Sequence, residues 1–229
     1  MLATAAAVRG YSGLMGSQWV FDGHIAGIGT GSGLRAVVGI WQESPFGRFA
    51  DVMVQHPSGH RQLLAPTGAA ADFISATYTF DDVAVVGVSA RLEQGILTVD
   101  AGPLGISASL GSRTLLGRAL RAVPRRLAVH PGWLRAVSPV AGIVSRGSRT
   151  SGTAGSGRRE YYGVSDLHTI SAAVVSWDGA DAGALAPVHP PVTFGFSSVP
   201  PQPSLARVRT TIVQTGGSGD KSPSRRSQE

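Results

Sequence analysis

The chain has 229 residues and a formal net charge of +6, from 20 basic and 14 acidic side chains, and it contains no cysteine. Its length suits one domain or at most two, and its 42% apolar residues against 15% charged ones argue against wholesale disorder. The lack of cysteine excludes a disulfide scaffold, a cysteine nucleophile and a thiolate metal site.

The two ends of the chain differ in composition from the segment between them. Residues 1–14 lack the basic start and the long apolar stretch of a signal peptide, so we expect a disordered leader or a true start at Met15. Residues 215–229 are polar and rich in Gly and Ser, which predicts a disordered tail. Residues 15–214 are then a single β-rich domain. No apolar run is long enough for a membrane-spanning helix, so we expect a cytoplasmic protein.

The first half of the chain is typical of β-structure. Apolar and β-branched runs at 18–24 and 34–42 flank the glycine-rich segment 27–33, which predicts a hairpin. A second pair of strands is predicted at 48–56 and 60–65, around a Pro-Ser-Gly turn.

A short helix is predicted next, over residues 67–77, with Thr67 as its N-cap. Strands follow at about 79–92, 95–101 and 104–110, separated by glycine-containing turns.

A basic block interrupts this pattern. Residues 101–159 contain ten arginines and no acidic residue, so this segment carries +10 and the rest of the chain −4. We predict a helical insertion at about 111–146, with a helix over 113–122 capped by Ser112, and then a glycine-rich loop at 147–157.

Two interpretations of the basic block remain open. The arginines could form a solvated face that pairs with acids from elsewhere, or they could contact an anionic membrane surface or an acidic partner. Nucleic acid is a weaker candidate, because aromatic residues are scarcely interleaved with the arginines and the chain is poor in lysine. The arginines that would contact such a partner are Arg113, Arg118, Arg121, Arg125 and Arg126.

Strands resume in the last third, at 168–177, 192–196 and 205–213, the last as an edge or closing strand. The fold class is therefore α+β, mainly antiparallel β with a short basic helical insertion.

Several common motifs are absent or fail on their spacing. The glycines of 27–33 lack the third glycine and the helix of a dinucleotide fingerprint, and GGSGDKS near the tail lacks the glycine before lysine of a phosphate loop. No G-x-S-x-G nucleophile elbow occurs. His56 and His60 flank a turn and do not form a helical metal face, so we expect no metal site and no cofactor.

One cluster that could carry chemistry follows the glycine-rich loop. Arginine can hold a carboxylate or phosphate, tyrosine can donate a proton, and an aspartate two residues before a histidine on a strand shares its face and could orient the imidazole. The alternative is structural, with the tyrosines packed under the loop and Arg159 paired with Glu160. The cluster comprises residues 158–162 with Asp166 and His168, and the residues predicted to bind a ligand are Arg159, Tyr161, Tyr162, Asp166 and His168.

A second cluster, at residues 45–51, contains Arg48 and Asp51; its structural alternative is an aromatic-anchored loop. The run SPFGRFADVMV, followed by a hairpin and LLAP before a short helix, resembles the equivalent stretch of acetoacetate-decarboxylase-like proteins. That resemblance implies a double-layered, cone- or barrel-like β fold with a small polar-lined cavity. It also implies that Asp51 takes the place of the family's acidic pocket residue, usually a glutamate.

The chain departs from that family in its lysine content. Decarboxylation there proceeds through a Schiff base on a buried lysine, but the one lysine of this chain, Lys221, lies in the polar tail. Arginine remains protonated and cannot substitute for it. Lysine-dependent decarboxylation is therefore excluded, although other catalysis stays open and no catalytic residue is assigned.

The sequence favours a protein that binds a small anionic or amphipathic organic ligand in a β-rich pocket. The alternative is a peripheral interaction module that uses residues 112–146 to contact an anionic membrane or an acidic partner.

Overall fold

The computed structural model describes residues 18–122, 151–154, 158–195 and 199–214. Within these ranges the chain forms thirteen strands and two short helices. The strands of the first half are β1 (Gln18–Thr30), β2 (Arg35–Glu43), β3 (Phe49–Gln55), β4 (Arg61–Ala65), β5 (Asp82–Val85), β6 (Val88–Glu93), β7 (Ile96–Ala101) and β8 (Leu104–Arg113). The remaining elements are α1 (Gly68–Ser75), α2 (Leu115–Ala122), β9 (Ser151–Ala154), β10 (Arg158–Trp177), β11 (Ala180–Asp181), β12 (Leu185–Ala186) and β13 (Ser204–Gln214).

The strands form one sheet in the order β5-β4-β3-β2-β1-β13-β10-β8-β7-β6, with β9, β11 and β12 attached to β10 and β1. Every pairing is antiparallel except that of β4 with β5. The last strand, β13, pairs with β1 on one side and β10 on the other, so it joins the two halves of the sheet. The mainly antiparallel β prediction is confirmed. No helix in the described ranges is long and apolar enough to cross a membrane.

The sheet buries its inner face and part of its outer face. The inner face packs the two halves of the sheet together, because Val38 and Val52 share one core with Leu97 and Ile106 from the other end of the strand order. This shared core shows that the sheet curls into a half-barrel. The outer face carries the alternate residues of the same strands, in keeping with the two-residue period of a strand.

The outer face of β2–β4 is covered by α1 and by the irregular segment that precedes β13. Val37, Met53 and Leu63 pack there against Ile74 of α1 and against Phe194, which is fully buried. The two layers of the fold are therefore the curled sheet and this cover.

The helix α1 begins as predicted. The Thr67 hydroxyl accepts a hydrogen bond from the Ala70 backbone N–H at 3.2 Å, which satisfies one of the free amides of the first turn. The helix places Phe73 and Ile74 over the sheet.

Four predictions need correction. The single strand at 79–92 is two strands, and β5 and β6 lie at opposite ends of the sheet order. The cap of α2 is Thr114, whose hydroxyl accepts from Gly117 N–H, because Ser112 still belongs to β8.

The other two corrections concern the last third of the chain. Residues 151–154 of the predicted glycine-rich loop form β9, and β10 begins at Arg158. The described part of 192–196 forms no strand. Its backbone is irregular, and the side chains of Val192 and Phe194 are buried. The predicted leader, the predicted tail and residues 123–146 of the insertion lie outside the described residues.

Candidate functional site

A cavity lies between the outer face of the sheet and α1. Its empty volume, counted together with the open mouth, is about 480 Å³. Its floor comes from β1, β2, β3 and β13, and its roof from α1 and the two residues that follow the helix cap. The lining residues are Phe21, Ile25, Val37, Gly39, Trp41, Phe49, Asp51, Met53, Phe73, Ile74, Thr77, Tyr78, Thr210 and Ile212.

Asp51 is the one ionisable carboxyl among these lining residues, and its side chain is buried, with the residue only 4% exposed. On the neighbouring strand, the Trp41 indole Nε1–H donates a hydrogen bond of 2.8 Å to Asp51 Oδ1. This donor is neutral, so it orients the carboxyl without supplying a countercharge.

Gly39 leaves the space in which this hydrogen bond forms. Gly39 is the register partner of Asp51, and a Cβ at this position would lie 2.6 Å from Asp51 Oδ1 and 2.7 Å from Trp41 Nε1. A glycine inside a strand often marks a close approach of this kind. Gly39 is therefore a signal in the sequence that our sequence analysis did not use.

Burial raises the pKa of Asp51 to about 7, although the hydrogen bond from Trp41 opposes the shift. No charged neighbour contributes to this value, since neither a cation nor an anion acts on the carboxyl within the described structure. The group therefore exchanges a proton near neutral pH, as binding and catalytic carboxyls often do.

Aromatic rings form the walls around Asp51. Phe21 contacts Trp41 at a centroid distance of 5.4 Å and Phe49 at 6.5 Å, both edge to face. Phe73 of α1 lies 5.4 Å from Phe21 and 5.3 Å from Phe46. The loop that holds Phe46 is thus anchored by aromatic contacts, and the same contacts build one side of the cavity.

Thr210 supplies a second polar group to the cavity. Its hydroxyl is buried and has no hydrogen-bond partner within the described structure. An unsatisfied buried hydroxyl costs about 1–3 kcal/mol, so a ligand that bonds to it recovers that energy. Thr210 lies on β13, three strand spacings from β3, or roughly 14 Å across the sheet from Asp51.

Asp166 and His168 occupy the other face of the sheet. The register runs from Asp51 through Gly39, Ile25 and Ala206 to Leu167, so the neighbours of Leu167 face away from Asp51. Four strand spacings, roughly 19 Å, separate β3 from β10 along this row.

Arg113 engages Asp166 through two hydrogen bonds, Nε to Oδ1 at 2.7 Å and Nη2 to Oδ2 at 3.0 Å. Burial alone raises the pKa of Asp166, but the hydrogen bonds from Arg113 and from the Leu167 N–H outweigh it and hold the pKa below its ordinary value. His168 Nε2 lies 3.7 Å from Asp166 Oδ2, so the aspartate faces both an arginine and the imidazole.

A further polar group on this inner face surrounds His24. Arg207 donates to Gln42 Oε1 at 2.8 Å and to Asp22, and Gln42 Nε2 lies 3.3 Å from His24 Nδ1. Burial, and then the positive charge of Arg207, lower the pKa of His24 to about 4, so it is neutral at physiological pH. Our sequence analysis missed this group, because its members come from three separate strands.

The predicted site residues whose side chains the structure describes lie on both faces of the sheet. Asp51 lines the cavity, whereas Arg48, three residues earlier, is exposed. Asp166 and His168 are together on the other face. The backbones of the remaining three lie on β10, and their side chains fall outside the part of the chain that the structure describes; these residues are Arg159, Tyr161 and Tyr162.

The structure describes only part of the basic block. Arg113 pairs with an acid from outside the block, as the solvated-face interpretation expects, whereas Arg118 and Arg121 are exposed on α2. Arg125 and Arg126 lie outside the described residues. Contact of this segment with an anionic surface stays a prediction.

Comparison with known proteins gives similarities of fold. The structure is similar to acetoacetate decarboxylase from Legionella pneumophila, with a TM-score of 0.41 and 10% sequence identity over 92% of this chain and 96% of that one. It is also similar to an AttH-type protein from Nitrosomonas europaea, with a TM-score of 0.30 and 13% identity over 96% of this chain and 60% of that one.

One of these two structures is thus an acetoacetate decarboxylase, and the run SPFGRFADVMV resembles the proteins of that family. No protein-family model and no curated protein sequence matches the chain. At these identities and TM-scores, the similarity carries no information about activity.

Proposed function

We propose that this protein binds a small amphipathic organic molecule in the cavity beneath α1. The observation that carries the proposal is the buried Asp51 carboxyl, oriented by Trp41 in a cavity whose other walls are mainly aromatic and aliphatic. Such a site combines a large apolar contact area with one convergent polar group, which is the usual composition of a ligand pocket.

The charges of the lining residues restrict the class of ligand that the cavity can bind. Its lining residues include no lysine, arginine or histidine, so an anionic ligand meets no countercharge and faces the Asp51 carboxylate above pH 7. An amphipathic ligand therefore fits better than an anionic one. The lysine chemistry of acetoacetate decarboxylases has no counterpart, because Lys221 is the one lysine of the chain and the cavity contains none.

A series of six-carbon compounds tests this proposal: 1-hexanol, hexanoate and hexylammonium. We expect at least one of them to raise the midpoint of thermal unfolding, because a ligand that binds only the folded state stabilises it by mass action. Ile74→Phe should abolish the effect, since Ile74 lines the cavity and the larger ring fills it.

Ile96→Phe is the matched control, because Ile96 is 46% exposed on β7, outside the cavity lining. It should leave the stabilisation unchanged. If none of the three compounds stabilises the wild-type protein, or if both variants behave alike, the cavity is not a ligand site of this kind.

A further inference from the structure

The lining of the cavity beneath α1 contains no positively charged side chain to pair with the Asp51 carboxylate. The ionised form of Asp51 is stabilised in the described structure by one neutral donor, the indole N–H of Trp41. On the inner face, in contrast, Asp166 and Asp22 each face an arginine. A buried carboxylate without a cation is costly, and it becomes favourable when a cation and further hydrogen bonds are supplied.

The walls next to Asp51 suit an organic cation. The ring of Phe21 contacts those of Trp41 and Phe49, and all three line the same cavity. Aromatic faces attract ammonium groups by roughly 0.5–2 kcal/mol each, and the effect is largest where water is excluded. A hydrated metal ion finds no comparable set of oxygen ligands here, since Asp51 is the single carboxylate in the lining.

We propose that the cavity selects small alkylammonium ions, whose charge pairs with the carboxylate of Asp51 and whose apolar part packs on Trp41, Phe49 and Phe21. This inference rests on the proposed function and names its ligand class. Because the whole chain carries +6, the preference for a cation comes from this local site and opposes the average field of the protein.

The experiment compares hexylammonium with 1-hexanol, which has the same apolar chain and no charge, by isothermal titration calorimetry at pH 6 and pH 8. At pH 8 we expect hexylammonium to bind about tenfold more tightly than hexanol, a difference of about 1.4 kcal/mol. Its affinity should fall at pH 6, because protonation of Asp51 removes the countercharge. Hexanol should bind equally at both pH values.

Two variants locate the effect. Asp51→Asn keeps the shape and an oxygen that accepts from Trp41, and it should remove the preference for the cation while hexanol still binds. Asp82→Asn is the matched control, because it makes the same substitution at an exposed carboxylate outside the cavity lining. It should keep the preference.

A wild-type measurement keeps the test independent of the variants. The Trp41 indole N–H resonance should shift on addition of hexylammonium at pH 8, since its acceptor is the carboxylate that pairs with the ligand. Equal or tighter binding of hexanol at pH 8 overturns the selectivity and leaves the ligand site intact. A preference that survives Asp51→Asn overturns its assignment to this cavity. Failure of hexanol, hexanoate and hexylammonium alike overturns the proposed function itself.

Discussion

The two faces of the sheet each hold an aspartate, and the pKa values of these two carboxyls are shifted in opposite directions. On the outer face, Asp51 receives a single hydrogen bond from a neutral indole, and burial raises its pKa to about 7. On the inner face, Asp166 is part-buried, and the bidentate hydrogen bonds from Arg113 hold its pKa below the ordinary value. Burial raises the pKa of both carboxyls, so the opposite direction of the shift at Asp166 comes from the positive charge and hydrogen bonds of Arg113.

This difference separates a structural carboxyl from a candidate functional one. Asp166 ties β10 to the end of β8, and both of its oxygens are used. Asp51 is held at a cost to stability, and it lines the cavity beneath α1. A group that is retained in an unfavourable state next to a cavity is better explained by binding than by folding.

The largest expected effect is that of Asp51→Asn on stability above pH 7. The folded pKa of Asp51 is raised from 3.8 to about 7, so the folded state holds the proton more tightly than the unfolded state. The stability of the wild type therefore falls as the pH rises from about 4 to about 7, by roughly 4 kcal/mol in total. Asparagine does not ionise, so the variant should lack this loss.

Thermal unfolding of both proteins between pH 4 and pH 8 measures the difference. At pH 8 the variant should melt about 10 °C higher than the wild type, and the gap should narrow toward pH 4. A variant that is less stable than the wild type at pH 8 would contradict the unpaired state of the carboxyl.

Gly39→Ala should give the next largest effect, with the opposite sign. The new Cβ would lie 2.6 Å from Asp51 Oδ1 and 2.7 Å from Trp41 Nε1, so the hydrogen-bonded pair must move apart. Overpacking of this kind costs about 1–3 kcal/mol, and the variant should also lose binding of the six-carbon ligands. Gly87→Ala is the control, because nothing lies within 4 Å of its Cβ position. Equal stability of the two variants would show that the pair tolerates displacement.

Asp166→Asn should have the smallest effect and the opposite pH dependence to Asp51→Asn. The folded pKa of Asp166 is lowered, so its ionised form stabilises the fold above the ordinary pKa, and this contribution is lost as the pH falls. The variant should melt about 2 °C lower than the wild type at pH 7, with little difference at pH 3.

Asp82→Asn serves as the comparison for that variant, because the Asp82 carboxylate accepts hydrogen bonds from the neutral Gln62 amide and from the Val83 N–H. It should change the melting temperature less at pH 7. If the loss at Asp166 persists unchanged at pH 3, the role assigned to Arg113 is wrong.

Local chemistry allowed much of the fold to be predicted from the sequence. Thr67 caps α1 as expected, because its side chain needs only the backbone three residues on. The predictions failed where tertiary contacts decide the structure. Ser112 did not cap α2, since pairing with β10 extends β8 to Arg113. Phe194 lies in irregular backbone because burial under Phe80 and α1 replaces strand pairing.

The candidate site was less accessible to sequence reasoning. Asp51 was singled out through the family resemblance, but its partner Trp41 lies ten residues earlier on another strand, and only the register brings them together. The split of the predicted residues between two faces also follows from the strand order and its register, which carry the row of Asp51 across three strands to Leu167 rather than to Asp166 or His168. Sequence alone contains the alternation of each strand, but it does not contain that order.

The contrast between the two faces can be measured directly by carbon-13 NMR titration of the aspartate carboxyl groups in the folded protein. Asp51→Asn and Asp166→Asn assign the two resonances. We expect Asp51 to titrate with a midpoint near pH 7, while the pKa of Asp166 lies below the ordinary value of an aspartate. An Asp51 carboxyl that titrates near pH 4 in the folded protein would contradict the account, because it would show that burial beneath α1 does not raise the pKa of this group.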